Sequence, residues 1–189
     1  MPSESALVEA PRARQRILQT AGRLFYAEGF RAVGVDRVIA EADVAKATFY
    51  KHFPAKEDLI VAWIAAAEAA GQKAQPALDL PEPLTAYAEA LIALARRPEC
   101  LGCMFQSSVA EYAAAGNAVH EAAVAVKRRV LAAMEARAEV QGLKRPRPVA
   151  EAVFLFIEGV WASRRMFGAG APLGHADQAL RALIAGMDA

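Results

Sequence analysis

The feature that most constrains this chain is a pair of short apolar-striped segments separated by only two residues, Asp43-Val44. Upstream, Val35, Val38, Ile39 and Ala42 recur at helical spacing from about Gly34. Downstream, Phe49 and Phe53 fall one turn apart on a segment running from about Ala45 to Phe53. Two helices joined that tightly read as a helix-turn-helix. On the second of them Ala47, Thr48 and Lys51 point away from the phenylalanine pair. The apolar side can pack inward, which leaves a small, polar, cationic side free. Short side chains permit close approach to a DNA major groove, and a lysine reaches a guanine edge or a phosphate.

The flanks extend this reading. Ile17, Ala21, Leu24 and Phe25 stripe a helix from about Arg12 to Glu28, with Gly29 as its stop. Pro54 breaks the chain before a long fourth helix from Lys56. Residues 11–56 hold nine Lys/Arg against four Asp/Glu, whereas residues 57–189 hold thirteen against fifteen. A basic head on a mildly acidic body suits a phosphate-binding module attached to something else.

The rest of the chain also reads as helices, divided by turn residues at Pro76–Pro83, Pro98–Gly102, Gly116, Gly142–Pro148 and Gly168–Gly174. Val119, Ala123, Val126, Val130 and Met134 share one face after Asn117. The stretch Pro148 to Phe167 contains Val153-Phe154-Leu155-Phe156-Ile157, apolar on every side, so it needs cover on every side. The last helix carries Leu180, Leu183, Ile184 and Met187 as a stripe. The expected fold is all-α: a three-helix head over 1–55, with 1–10 a disordered arm, and a larger helical body over 56–189. The last two long helices would bury one face internally and another against a second copy, giving a homodimer. No apolar stretch approaches the roughly 18 residues of a membrane span. The first nine residues lack the basic and apolar regions of a secretory signal, so a cytoplasmic protein without membrane contact is expected.

The head resembles a known family through several spaced elements. These are Arg16 through Phe25, Glu28-Gly29-Phe30, Val35 through Ala40, Thr48-Phe49-Tyr50-Lys51-His52-Phe53, and Lys56-Glu57-Asp58-Leu59. Together they are similar to the DNA-binding head of the tetracycline-repressor (TetR) family, and they cover about a quarter of the chain. The resemblance implies a homodimer on a partly palindromic double-stranded operator, acting as a repressor that a small ligand releases. By the same resemblance Tyr50, His52 and Lys56 hold phosphates, while Lys46, Thr48 and Lys51 lie at or near base edges, with Ala47 on the same surface. Three positions depart from the family pattern: Asp43 replaces a usual glycine, Ala45 a capping serine, and Gly34 a Ser/Thr cap. Aspartate tolerates the left-handed backbone of the turn, and losing the serine cap costs about 1 kcal/mol.

Other residues invite chemistry. Cys100-Leu101-Gly102-Cys103 could be a redox switch or half a zinc site, but the histidines are distant in sequence and no βαβ pattern surrounds it. Both cysteines are expected to be ordinary, Cys100 at a helix boundary and Cys103 in an apolar site. No metal site and no cofactor are expected. His52 lacks a nucleophile or carboxylate partner in its surroundings, so no catalysis is assigned and the chain is read as a regulator, not an enzyme. His120 and the Lys127-Arg128-Arg129 cluster are expected on solvated faces. Trp63, Met104, Phe105, Phe154 and Trp161, with Ser108 and Tyr112 as polar groups, form the candidate wall of a site for an unidentified small-molecule effector.

Overall fold

A computed structural model describes residues 4–74, 82–114 and 116–189, excluding the side chains of 4–11 and 72–74. Residues 1–3 of the expected arm and most of the Pro76–Pro83 break lie outside it. The described residues form α-helices and one short 3-10 turn, with no strand among them. In chain order the helices are α1 (Glu4–Glu28), α2 (Val35–Glu41), α3 (Lys46–His52), α4 (Lys56–Ala74), α5 (Leu84–Ala95), α6 (Met104–Glu111), α7 (Ala118–Val140), α8 (Pro146–Phe167) and α9 (Ala176–Asp188). The 3-10 turn, Gly168–Gly170, follows α8.

Helix α1 begins at Glu4, where a disordered arm was expected over 1–10. The run Glu4 to Ala10 contains only residues that helices accept. Pro11 costs one backbone hydrogen bond but does not end the helix.

The chain divides into two compact units, Met1–Glu68 with Ser107–Ala123, and Ala69–Gln106 with Val124–Ala189. The head expected from the sequence ends at residue 55. Compactness instead groups the first part of α4, the end of α6 and the start of α7 with it.

In the first unit, α1 packs on both α2 and α3. Ile17, Ala21, Leu24, Phe25, Phe30, Val38, Phe49 and Phe53 are buried. Trp63 of α4 closes an aromatic cluster, with ring centroids 6.0 Å from Phe25 and 5.5 Å from Phe30. Gly22 makes this approach possible, because a Cβ there would lie 2.2 Å from the Trp63 Nε1. Removing Phe49 of α3, or Phe53 just after it, would cost about 3–5 kcal/mol.

In the second unit, α5, α8 and α9 pack on one another. Their core includes Leu84, Tyr87, Ile92, Met134, Val153, Ile157, Leu180 and Ile184. Two ion pairs tie α5 to α9: Arg96 with Asp177 at 2.6 Å (Arg96 immediately follows α5) and Arg181 with Glu89 at 2.7 Å. Arg164 is buried, has no ion-pair partner among the described residues, and is satisfied by backbone carbonyls. It donates to Arg97, Pro98, Cys100 and Gly168 at 2.7–3.1 Å, which fixes the turn after α5 against the end of α8. The apolar run of α8 is covered on most sides, not all. Val153 and Ile157 are buried and Phe154 and Phe156 half-buried, but Leu155 is 70% exposed.

Candidate nucleic-acid interface

The tight turn between α2 and α3 is built by its backbone. Val44 N–H donates to the Ile39 carbonyl at 3.3 Å and Asp43 N–H to the Ala40 carbonyl at 3.2 Å. This is the paired-bond ending that a left-handed residue allows. Asp43 supplies that residue, with φ at 51°, the one positive-φ non-glycine among the described residues. Arg16 of α1 locks the turn by donating to the Asp43 carbonyl at 2.9 Å. Gly34 and Ala45 stand at the N-caps of α2 and α3 without a side-chain cap, as their residue types require.

Helix α3 then splits into two faces. Phe49 and Phe53 turn inward with centroids 6.0 Å apart. Arg14 caps Phe53 from outside, its guanidinium carbon 5.4 Å from the ring centroid. Lys46, Ala47, Tyr50 and Lys51 are exposed, and Thr48 and His52 are half-buried. Lys46 pairs with Asp36 at 3.2 Å, which holds its pKa up. Both side chains are largely exposed, so the pair is worth little and releases readily. At the start of α4, Asp58 accepts from Ala55 N–H at 2.9 Å. Lys56 lies beside that turn, half-buried, with its ammonium 3.4 Å from the Arg31 carbonyl. Desolvation lowers its pKa.

Much of the head's positive charge is spent on holding the head together. Arg37 bridges Glu28 of α1 and Glu41 of α2, and Arg23 also reaches Glu41. Both carboxyls are held below their ordinary range, first through hydrogen bonds from these arginines. The base-rich composition therefore overstates what faces a ligand.

A clamp that the sequence does not announce sits on the α1–α2 turn. Gly29 ends α1 with φ at 93°, which leaves the next two N–H groups unpaired by the helix. Glu111, at the end of α6, accepts both: Phe30 N–H at 3.1 Å and Arg31 N–H at 2.6 Å. Arg31 returns a bond to the Glu111 carbonyl at 2.6 Å and lies over the Tyr112 ring at 5.1 Å. His120 is half-buried with Nδ1 3.2 Å from the Tyr112 carbonyl, not solvated as expected.

The candidate effector residues fall in both units. Trp63, Ser108 and Tyr112 belong to the first, all buried. Trp63 is already enclosed by Phe25, Phe30 and Gly22 as head core. Met104, Phe105, Phe154 and Trp161 belong to the second and are half-buried, the last two packed on the α5–α8–α9 core. Two expectations about neighbouring residues change. Cys100 is the buried cysteine, with Cys103 only partly so. The positive φ of Gly102, 94°, lets the chain bend between them where a Cβ would meet Arg165. Lys127 turns inward to Glu158 at 2.5 Å and also bonds Cys103, while Arg128 and Arg129 are exposed.

An α-helix with a buried aromatic side and an exposed polar, cationic side, held by a tight turn against a second helix, is the DNA-reading element of helix-turn-helix proteins. Comparisons with known proteins place it further. Residues 17–63 match the model of the bacterial regulatory proteins of the tetR family. The chain is 31% identical to SCO4454, a TetR-family transcriptional regulator from Streptomyces coelicolor, with 94% of this chain and 96% of that one covered at a TM-score of 0.83. A protein of Saccharomonospora viridis solved in complex with choline shares the fold, at 20% identity over 93% of this chain and 96% of that one, TM-score 0.69. The HTH-type transcriptional regulator YxaF of Bacillus subtilis (strain 168) is 38% identical over 50 residues, which span 26% of each chain. The chain belongs to the TetR family of transcriptional regulators and is a DNA-binding protein of that family.

Proposed function

We propose that the chain acts in the cytoplasm as a homodimeric repressor on a palindromic operator, released by a small apolar or amphipathic ligand. The observation that carries the DNA reading is the exposed polar side of α3, rigidly backed by Phe49 and Phe53. Lys46, Thr48 and Lys51 read base edges, Ala47 lets the helix sit close to the groove floor, and Tyr50, His52 and Lys56 hold phosphates. Residues 1–55 carry this function, and 56–189 carry ligand binding and dimerisation.

The dimer is supported by α8. Leu155, Gly159, Ala162 and Met166 follow one another along one face, and Leu155 and Met166 are mostly exposed. An apolar stripe interrupted by small residues lets a second helix approach closely, and a two-fold partner would cover it with the same stripe. Release by ligand requires different affinities for the two conformations, since equal binding shifts nothing. Of the expected effector residues we keep Met104, Phe105, Phe154 and Trp161, which are half-buried in one unit; Trp63, Ser108 and Tyr112 are packed in the other, Trp63 as head core. That the Saccharomonospora viridis protein holds choline supports a body of this fold as a small-molecule receptor.

Titrating labelled DNA from upstream of the chain's own gene, against unrelated DNA at matched salt, tests the reading. We expect the upstream DNA to bind at least about a thousandfold more tightly. Equal affinity for both would contradict it.

A further inference from the structure

Three cations are withdrawn from water inside the second unit, and they are not equally provided for. Lys127 has Glu158 at 2.5 Å. Arg164 has four backbone carbonyls. Arg137, on α7, is only 5% exposed and has no carboxylate within ion-pair distance among the described residues. Its hydrogen-bond acceptor is the Ala133 carbonyl at 3.1 Å, and the Tyr87 ring of α5 covers it, with the guanidinium carbon 4.3 Å from the centroid. Its Nε is the one buried side-chain donor without a partner among the described residues. A guanidinium has five N–H donors and does not shed its proton. Burying it without an anion is costly, and an apolar residue of similar volume is often neutral or better for stability.

The helix dipole does favour a cation in the last turn of α7, where Arg137 stands. That accounts for a positive charge at this end of the helix, but not for an inward side chain with an orphaned donor. Tyr87 adds a second polar group, and burial pushes its phenol up, so it stays protonated and able to donate. Leu84, Ala88 and Met134, within one turn of Tyr87 and Arg137 on the same two helices, are apolar core residues, so what these helices place around the guanidinium is apolar.

We propose that the effector is a small amphipathic carboxylate whose head group pairs with Arg137 beside Tyr87. This inference rests on the ligand-responsive reading above and narrows its chemistry to an organic anion. A carboxylate accepts two parallel N–H bonds from a guanidinium, supplies the missing counter-charge, and accepts a third hydrogen bond from the Tyr87 hydroxyl.

The test is isothermal calorimetry of the full-length protein with a panel of straight-chain and aromatic carboxylates, octanoate among them, each paired with its alcohol. Wild-type protein should bind at least one carboxylate saturably, and its alcohol at least about tenfold more weakly. Arg137→Met should abolish that preference and raise the melting temperature of the unliganded protein; Arg137→Lys should keep part of the preference. A merely structural Arg137 predicts the reverse, a lower melting temperature and no effect on ligand choice. Equal binding of acid and alcohol, binding by no carboxylate, or a preference that survives Arg137→Met would overturn the proposal. If Arg137→Met does not fold, the wild-type comparison and Tyr87→Phe, expected to weaken the carboxylate alone, still decide it. Operator release is measured in parallel with the alcohols and with choline. Release by these without any carboxylate effect overturns the anion and leaves the ligand-responsive reading standing.

Discussion

At the scale of single residues, the head depends on contacts of very different sequence range. Asp43 sits where a left-handed residue is needed, and its local chemistry already indicated that it could. The missing caps at Gly34 and Ala45 were equally legible, because capping is decided within three residues. Glu111 was not legible, since its partners Phe30 and Arg31 are about eighty positions away. Glu111→Gln keeps the size but replaces one acceptor with an amide donor facing a backbone N–H. We expect it to destabilise the protein by about 1–3 kcal/mol in chemical denaturation. Unchanged stability would show that the clamp contributes nothing. Cys100, at its helix boundary, is the buried cysteine and Cys103 only partly so, with the positive-φ bend at Gly102 between them. Cys100, 7% exposed, should therefore cost more on replacement by serine, about 1–3 kcal/mol, than the half-buried Cys103. Equal costs in thermal melts would contradict the burial argument.

At the scale of elements, hydrophobic spacing located the helices well. The stripe Val119, Ala123, Val126 and Met134 is the buried side of α7, and α4 begins at Lys56 as expected. Boundaries were weaker where composition permits a helix without demanding one, as in Glu4 to Ala10 at the start of α1. Charge was the least reliable guide. Lys127 looked like part of a solvated cluster, yet Glu158 on another helix draws it inward. Helix α3 and the start of α4 carry the test of roles within the interface. Lys56→Ala should weaken binding to every DNA sequence alike and reduce the slope of log affinity against log salt by about one per subunit. Lys51→Ala should instead change which bases are preferred. If Lys51→Ala lowers affinity but leaves the preferred sequence untouched, its assignment to base reading is wrong.

At the scale of the whole molecule, family membership follows from likeness over nearly the full length to a TetR-family regulator. The head alone had pointed there, through residues that DNA binding constrains. The body offered only a general helical pattern, and its Arg137, Arg164 and Lys127 arrangements depend on packing between distant helices. The proposed dimer rests on the α8 stripe, where Leu155 is 70% and Met166 73% exposed. Leu155→Arg would place a charge on that stripe, and light scattering should then show monomers at concentrations where the parent chain is a dimer. A parent chain that is already monomeric at micromolar concentration would remove the dimer from the account.

The central claim is that two copies of α3 read two related half-sites. Selection of bound DNA from a random pool tests it most directly, because the recovered motif reports sequence specificity and symmetry together. We predict a two-fold symmetric motif whose half-sites lie about 34–36 Å apart or a multiple of that spacing. Recovery of no enriched motif, or of a single unpaired half-site, would contradict the account.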